Sequence, residues 1–233
     1  MIDLISSSAY FGAALTVLMF MLAVWVNRKI PGALTTPLFL ATIFVVFVLV
    51  MTGVSYDTYN ASAGYLTYFL VPVTVCFAVP MYRQMPLLRR HALPILIAML
   101  IGVVCSIMSV CLICVILGLG DIVARSLAAI SVTTAIAIGI TEQLGGVVAL
   151  TVSSVIVTGI LGASISDIVC RRMGLTNAIA RGLAIGNASH AAGTTKAIEM
   201  GPVEGAMSSL AIVLSGLMTA VAAPIIVGIF FGA

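Results

Sequence analysis

A histidine, a lysine and two carboxylates share the stretch GNASHAAGTTKAIEMGPVEGAMSSLA, residues 186–211, in a chain that is otherwise almost all hydrocarbon. Ionisable groups inside apolar sequence are costly and mark a site by default. His190 is the natural proton-responsive group, because an unperturbed imidazole titrates near 6.5. Asn187, Ser189, Thr194 and Thr195 add amide and hydroxyl groups at a density that a lipid-facing helix does not tolerate. Lys196 contributes a fixed positive charge, and Glu199 and Glu204 are carboxylates able to carry or balance a proton. A solvated loop with His190 exposed is the rival reading; the Ser, Thr and Gly context and the charged neighbours favour a buried functional segment. Gly186, Gly193 and Gly201 are expected to loosen its backbone. The small residues Gly205, Ala206, Ser208, Ser209 and Ala211 then let the last helix pack closely. No nucleophile and base pair or metal set stands out, so neither an enzyme nor a cofactor is expected.

Two further polar elements qualify. In YLTYFLVPVTVCFAVPMYRQ, residues 65–84, Pro72 and Pro80 fall within one apolar run with Thr74 between them and Arg83 at its end. Each proline removes a donor and clashes with the carbonyl four residues earlier, so a kinked or split helix is expected. Carbonyls freed in this way are how transporters often build polar sites. In RSLAAISVTTAIAIGITEQLGG, Ser131, Thr133 and Thr134 can satisfy backbone groups freed by an interruption, while Gly145 and Gly146 permit a sharp turn. Residues 71–85 and 130–144 align at a constant offset with Val, Thr, Ala and Gln coinciding, which matches Arg83 with Glu142 as a candidate gating or bridging pair. Chance apolar similarity is the competing explanation.

The elements that position these groups follow from composition. The chain is 62% hydrophobic and 7% charged, which excludes an ordinary water-soluble domain. Uncharged runs long enough to cross a bilayer, roughly 20 residues each, lie between Asp3 and Arg28, Lys29 and Asp57, Asp57 and Arg83, His91 and Asp121, and Glu142 and Asp167, and from Glu204 onward. Segments 122–142 and 177–202 are weaker spans or re-entrant pieces. The expectation is an all-α, polytopic membrane protein with six to eight membrane helices, some broken or re-entrant, forming a single domain over residues 1–233. The first apolar run lacks a basic leader and is read as a retained helix. Basic residues cluster at Arg28 and Lys29, at Arg83, Arg89 and Arg90, and at Arg171, Arg172 and Arg181. The positive-inside tendency puts all three clusters in the cytoplasm, which is consistent only if the segment near 125–145 does not cross fully. A net charge of +3 spread over loops gives no sign of nucleic-acid binding. Cys111 and Cys114 form a C-x-x-C spacing in an apolar helix, where packing is the expected role.

These residues carry a resemblance. SVTTAIAIGITEQLGG, TGILGA and GNASHAAGTTKAIEMGPVEGAMSSLA resemble the LrgB/CidB family of bacterial membrane proteins, and VPVTVCFAVPMYRQ looks like that family's Pro-containing third segment. The likeness runs from about residue 60 to the C-terminus. Two positions depart: Ala135 stands where the family usually has proline, and Val71 where it has glycine. The resemblance implies a multi-pass protein of the bacterial cytoplasmic membrane. Two functions attach to it. One is a holin- or antiholin-like modulator of murein hydrolase activity and autolysis, acting with a smaller LrgA/CidA-type membrane partner. The other is carriage of small monocarboxylates of the glycolate, glycerate, lactate or pyruvate class: plastid relatives move glycolate and glycerate, and some bacterial relatives are linked to pyruvate uptake. Carriage is the reading that needs a buried arrangement of His, Thr and Glu. It assigns Arg83 or Lys196 to attract the carboxylate, and Thr133, Thr134, Thr194 and Thr195 to orient it. His190 with Glu199, Glu142 or Glu204 handles the proton, in a protein expected to be a homo-oligomer.

Overall fold

The computed structural model describes residues 8–30, 35, 37–69, 72, 75–76 and 78–232, and among these the chain is helical without a strand. It divides into two compact units, residues 1–76 and 77–233.

The first unit contains α1 (Phe11–Lys29), α2 (Pro37–Thr52), α3 (Tyr56–Ala63) and a 3-10 turn, Gly64–Phe69. Ser55 caps α3 by accepting a bond from the Thr58 amide at 3.2 Å. Gly12 lies so close to the Tyr59 carbonyl that no side chain fits there, and its amide donates to Ser62 Oγ at 2.7 Å. Thr16 and Tyr59 join hydroxyls at 2.8 Å, which ties α1 to α3.

The second unit contains α4 (Ala78–Arg83), α5 (Met85–Arg90), α6 (Ala92–Ile116), α7 (Asp121–Leu127), α8 (Thr134–Leu144), α9 (Val148–Arg172), α10 (Ala178–Met200) and α11 (Pro202–Phe231). Four helices of the chain, α1, α6, α9 and α11, are long and apolar enough to cross a membrane, and α2 is a shorter apolar helix of 16 residues. The six uncharged runs therefore yield four full-length helices among the described residues. The run between Asp57 and Arg83 is divided, because its first turns carry Asp57, Thr58, Asn60 and Ser62 and its remainder carries two prolines.

Neither weak segment is a straight helix. Thr151 Oγ1, on α9, donates to the Ser126 carbonyl at 2.7 Å and shares a bond with Thr141 Oγ1 at 2.9 Å. Residues 126 and 141 thus meet at one point, whereas fifteen residues of straight helix would part them by ~22 Å. The chain enters through α7, reverses over residues 128–133 and returns through α8, which ends at Gly145 in the left-handed region (φ 72°). The same test applies to α10. Gly182 abuts Glu204 and Gly205 abuts Ile198, so residues 182 and 198 both face the first turn of α11, against ~24 Å apart if the helix were straight. The reversal falls on His190, at φ 45° and ψ −132°. A side chain placed on Gly193 would meet the Ile185 carbonyl at 3.0 Å, which only a fold-back allows. We call the arms α10a, residues 178–189, and α10b, residues 191–200.

The two hairpins enter from opposite ends of α11. The first packs its core residues Ala128, Val132 and Ala137 with Ala223, Ile226 and Val227, and Arg125 donates to the carbonyl of Gly232 at 3.2 Å. The second lies on residues 204–211. α6 runs beside both: Ile95 and Met99 share a cluster with Leu183, Ala206 and Met207, while Val103, Ile107 and Cys111 share one with the first hairpin. Arg89, Arg90, Arg171, Arg172 and Arg181 consequently gather at the end where the second hairpin begins. The burial of Cys111 and Cys114 accords with packing.

Candidate functional site

The tips of the hairpins touch. His190, buried to 5% exposure, places Nε2 2.9 Å from the carbonyl oxygen of Ile130 in the turn of the first hairpin. A carbonyl only accepts, so Nε2 carries the proton in this bond. A helix broken at 128–133 leaves carbonyls without helical partners, and the histidine of the opposite hairpin satisfies one of them. Contact occurs near the middle of α9, where Gly159 faces His190 Nδ1 and Gly162 lies against Ser189. At ~1.5 Å per residue the returning arms, 11 residues of α8 and 10 of α10b, span about 16 Å and 15 Å. Their sum matches the ~30 Å hydrocarbon core, so tips meeting end to end lie near mid-depth.

His190 breaks its helix because of its backbone, in a region favoured by glycine and disfavoured for a residue with a Cβ. The expectation that Gly186 and Gly193 loosen this segment is corrected by their packing, whereas Gly201 stands at the non-helical break between α10 and α11. Gly186 sits where any Cβ would strike Ser208, and Gly193 where one would strike Ser189 and Ile185, so both exist for close packing. The turn itself is forced on a histidine, and Thr194 braces it: its Oγ1 accompanies the His190 carbonyl at 2.9 Å and Ser208 Oγ at 2.7 Å, both inside the protein.

The first tip is braced by Ser131, whose hydroxyl meets that of Ser106 on α6 at 2.5 Å. Thr133 precedes α8 in an extended conformation and makes no side-chain cap. The first helical bond back to it comes from Ala137, so the amides of Thr134, Ala135 and Ile136 have no acceptor within the helix. Thr133 and Thr134 are half-buried and Ala135 is exposed, leaving this N-terminus reachable. α10b also begins at its tip, so two helix N-termini, with their partial positive charge, converge on mid-depth from opposite ends.

Other expected residues lie elsewhere. Lys196 pairs with Glu199 at 2.9 Å on an exposed face of α10b, and exposed Thr195 bonds only within its own helix, to the Ala192 carbonyl. Glu142 is exposed near the far end of α8, and Arg83 is exposed at the end of α4, which packs on α11; among the described residues neither joins an ion pair. Glu204 is buried and bound to Arg181, joining the start of α10a to the start of α11. Pro72 is exposed and belongs to the first unit, Pro80 falls in α4, and Thr74 lies outside the described residues. Ser189 and Asn187 flank the tip within α10a, and the Asn187 Oδ1 atom is buried without a partner. The sequence reading missed Arg181, Ser106, Ser208 and Ile130. Their partners are 14 to 60 residues away, and no local pattern encodes that pairing.

Comparison with known proteins adds the lineage. A model of the LrgB-like family matches residues 16–229. The chain belongs to this family. Among its relatives is the uncharacterized protein YwbG of Bacillus subtilis (strain 168), 40% identical over 210 residues, which cover 90% of this chain and 93% of that one. No solved structure matches. As an LrgB-like protein with four helices long and apolar enough to span, it is a membrane protein.

Proposed function

We propose that this LrgB-like protein is a carrier that moves small monocarboxylates, of the glycolate, glycerate, lactate or pyruvate class, across the bacterial cytoplasmic membrane by alternating access. The observation carrying this reading is the meeting of two re-entrant hairpins at His190 and Ile130. Paired half-helices ending inside the bilayer are a construction that transporters use for substrate sites. The exposed N-terminus of α8 suits a carboxylate through the amides of Thr134, Ala135 and Ile136, and the hydroxyls of Thr133 and Thr134 suit its second oxygen. His190 bonds through Nε2 and leaves Nδ1 to take or yield a proton, the basis of a proton-linked cycle. Lys196 and Arg83 act, on this reading, in the approach of the anion, since neither reaches the tips in this conformation.

Orientation follows from charge. The end holding Arg89, Arg90, Arg171, Arg172 and Arg181 faces the cytoplasm, and the two hairpins remove the conflict that a full crossing at 122–142 would create. A lesion-forming, holin-like role calls for a self-associating surface; here Ser189, His190, Thr194 and Ser208 turn inward, with His190 bonded to Ile130 and Thr194 to Ser208. Purified protein in liposomes tests the choice. Saturable uptake of C2 to C3 carboxylates, mutually competitive and without release of a trapped dye of sugar-oligomer size, supports the carrier. Dye release without carboxylate competition supports the holin-like alternative and rejects the carrier. Any LrgA/CidA-type partner or homo-oligomer would modulate this activity and is not needed to form the tips.

A further inference from the structure

A cavity of about 610 Å³ lies between α6 and α10a. The α6 wall includes Pro94, Ala98 and Gly102, spaced four apart on a single face, and the α10a wall includes Ala180, Ala184 and Asn187, with large apolar residues of both helices completing the lining. These small side chains leave space that larger ones would fill. Its outer end is bounded by His91 and Asn177, the residues immediately before the two helices, and so opens at the basic end. Its inner end is the neck between Gly102 and Asn187, where a Cβ on the glycine would stand 3.0 Å from Asn187 Nδ2. Asn187 is three residues from the tip histidine.

We propose that this cleft is a water-filled vestibule leading from the basic end to the hairpin tips, through which the transported anion reaches them, with the Asn187 amide as its innermost binding group. The inference rests on the carrier reading. Two observations carry it beyond that reading. Among the described residues the Asn187 side-chain Oδ1 is buried and accepts no hydrogen bond. An amide left unpaired against hydrocarbon costs several kcal/mol, so water or a polar solute, and not an acyl chain, occupies the inner end. At ~30 Å³ per molecule the space holds on the order of 20 waters. Arg89 and Arg90 adjoin His91 at the mouth and join no ion pair among the described residues, so the rim carries positive charge that concentrates anions. The amide offers a donor and an acceptor together, which suits an oxygen substituent beside the carboxylate better than a bare alkyl chain.

The test uses full-length protein lacking its native cysteines, with Ala98→Cys, Ala184→Cys or Ile101→Cys introduced singly, in right-side-out and inside-out vesicles. The probe is an anionic, membrane-impermeant methanethiosulfonate. Ile101 is exposed on α6 at the depth of the neck and serves as the bilayer-facing control. Ala98→Cys and Ala184→Cys are expected to react from the basic end alone, and to be slowed by millimolar transported carboxylate, while Ile101→Cys stays unreactive. Gly102→Val, which narrows the neck, is expected to remove most uptake without blocking labelling at Ala98→Cys. If the two wall cysteines behave like Ile101→Cys, or react only with a permeant maleimide, lipid or another helix fills the cleft and the vestibule is rejected. Saturable uptake with unlabelled walls overturns this inference alone. Labelled walls with no saturable uptake overturn the carrier reading instead.

Discussion

Replacing His190 separates its two structural duties, the bond across the tips and the strained turn. His190→Ala deletes the Nε2 bond and leaves the half-buried Ile130 carbonyl without that partner, a loss of about 1–3 kcal/mol. The alanine keeps a Cβ, so the turn at φ 45° stays strained. His190→Gly makes the same deletion but removes the Cβ. Relief of ~1–2 kcal/mol of left-handed strain is partly offset by the ~0.5–1 kcal/mol entropic disadvantage of glycine. The expected order is wild type, then glycine, then alanine, with alanine about 2 kcal/mol below wild type and glycine recovering roughly half of that. At ~2–4 °C per kcal/mol for a chain of this size, thermal unfolding in detergent should fall by roughly 4–8 °C for alanine and 2–4 °C for glycine. Both variants should lose uptake or its pH dependence in liposomes, since neither has an imidazole. An alanine variant that melts with the wild type, or a glycine variant that melts below alanine, would refute this account of the turn.

Further substitutions probe the surrounding contacts. Gly162→Val forces atoms into Ser189 and should cost at least the ~1–3 kcal/mol typical of overpacking, seen as poor assembly by size-exclusion chromatography; Gly159→Ala, whose Cβ would meet only ordinary contacts at 3.5–3.7 Å, should assemble normally. Arg181→Ala strands the buried carboxylate of Glu204 and should lower stability by about 3 kcal/mol; the double variant Arg181→Met, Glu204→Leu should regain most of it in the same melting assay. Thr194→Val breaks the bracing at Ser208 and should cost about 1 kcal/mol, whereas exposed Thr195→Val should melt within ~0.5 kcal/mol of wild type.

Much of this architecture is legible in the sequence. Long uncharged runs announce α1, α6, α9 and α11, because a water-soluble helix rarely keeps roughly 20 residues in a row free of charge. The positive-inside conflict points to an interruption near 125–145, and the chain reverses at 128–133. The hydroxyl and glycine density around His190 marks the second hairpin. Less legible is which residue turns. Glycine is the natural candidate for a left-handed position, yet the chain places His190 there and spends Gly186 and Gly193 on packing, a choice set by α11 and by the opposing arm. Pairings such as Arg181 with Glu204, or Ser106 with Ser131, are products of the folded arrangement. Lys196 and Glu199 look like site charges only until their helical spacing pairs them with each other.

Ligand binding at the tips can be measured without any transport assay, by the thermal shift of purified protein on adding glycolate, lactate or pyruvate. A ligand at 100 times its dissociation constant stabilises by about 2.7 kcal/mol, roughly 5–11 °C here. A bound carboxylate seated on the α8 N-terminus predicts such a shift for the wild type, with none for acetate-sized inorganic anions such as nitrate. The shift should disappear in a Thr133→Val, Thr134→Val variant that otherwise melts normally. No shift with any of the three acids, or an equal shift in the double variant, would contradict a substrate site where the two hairpins meet.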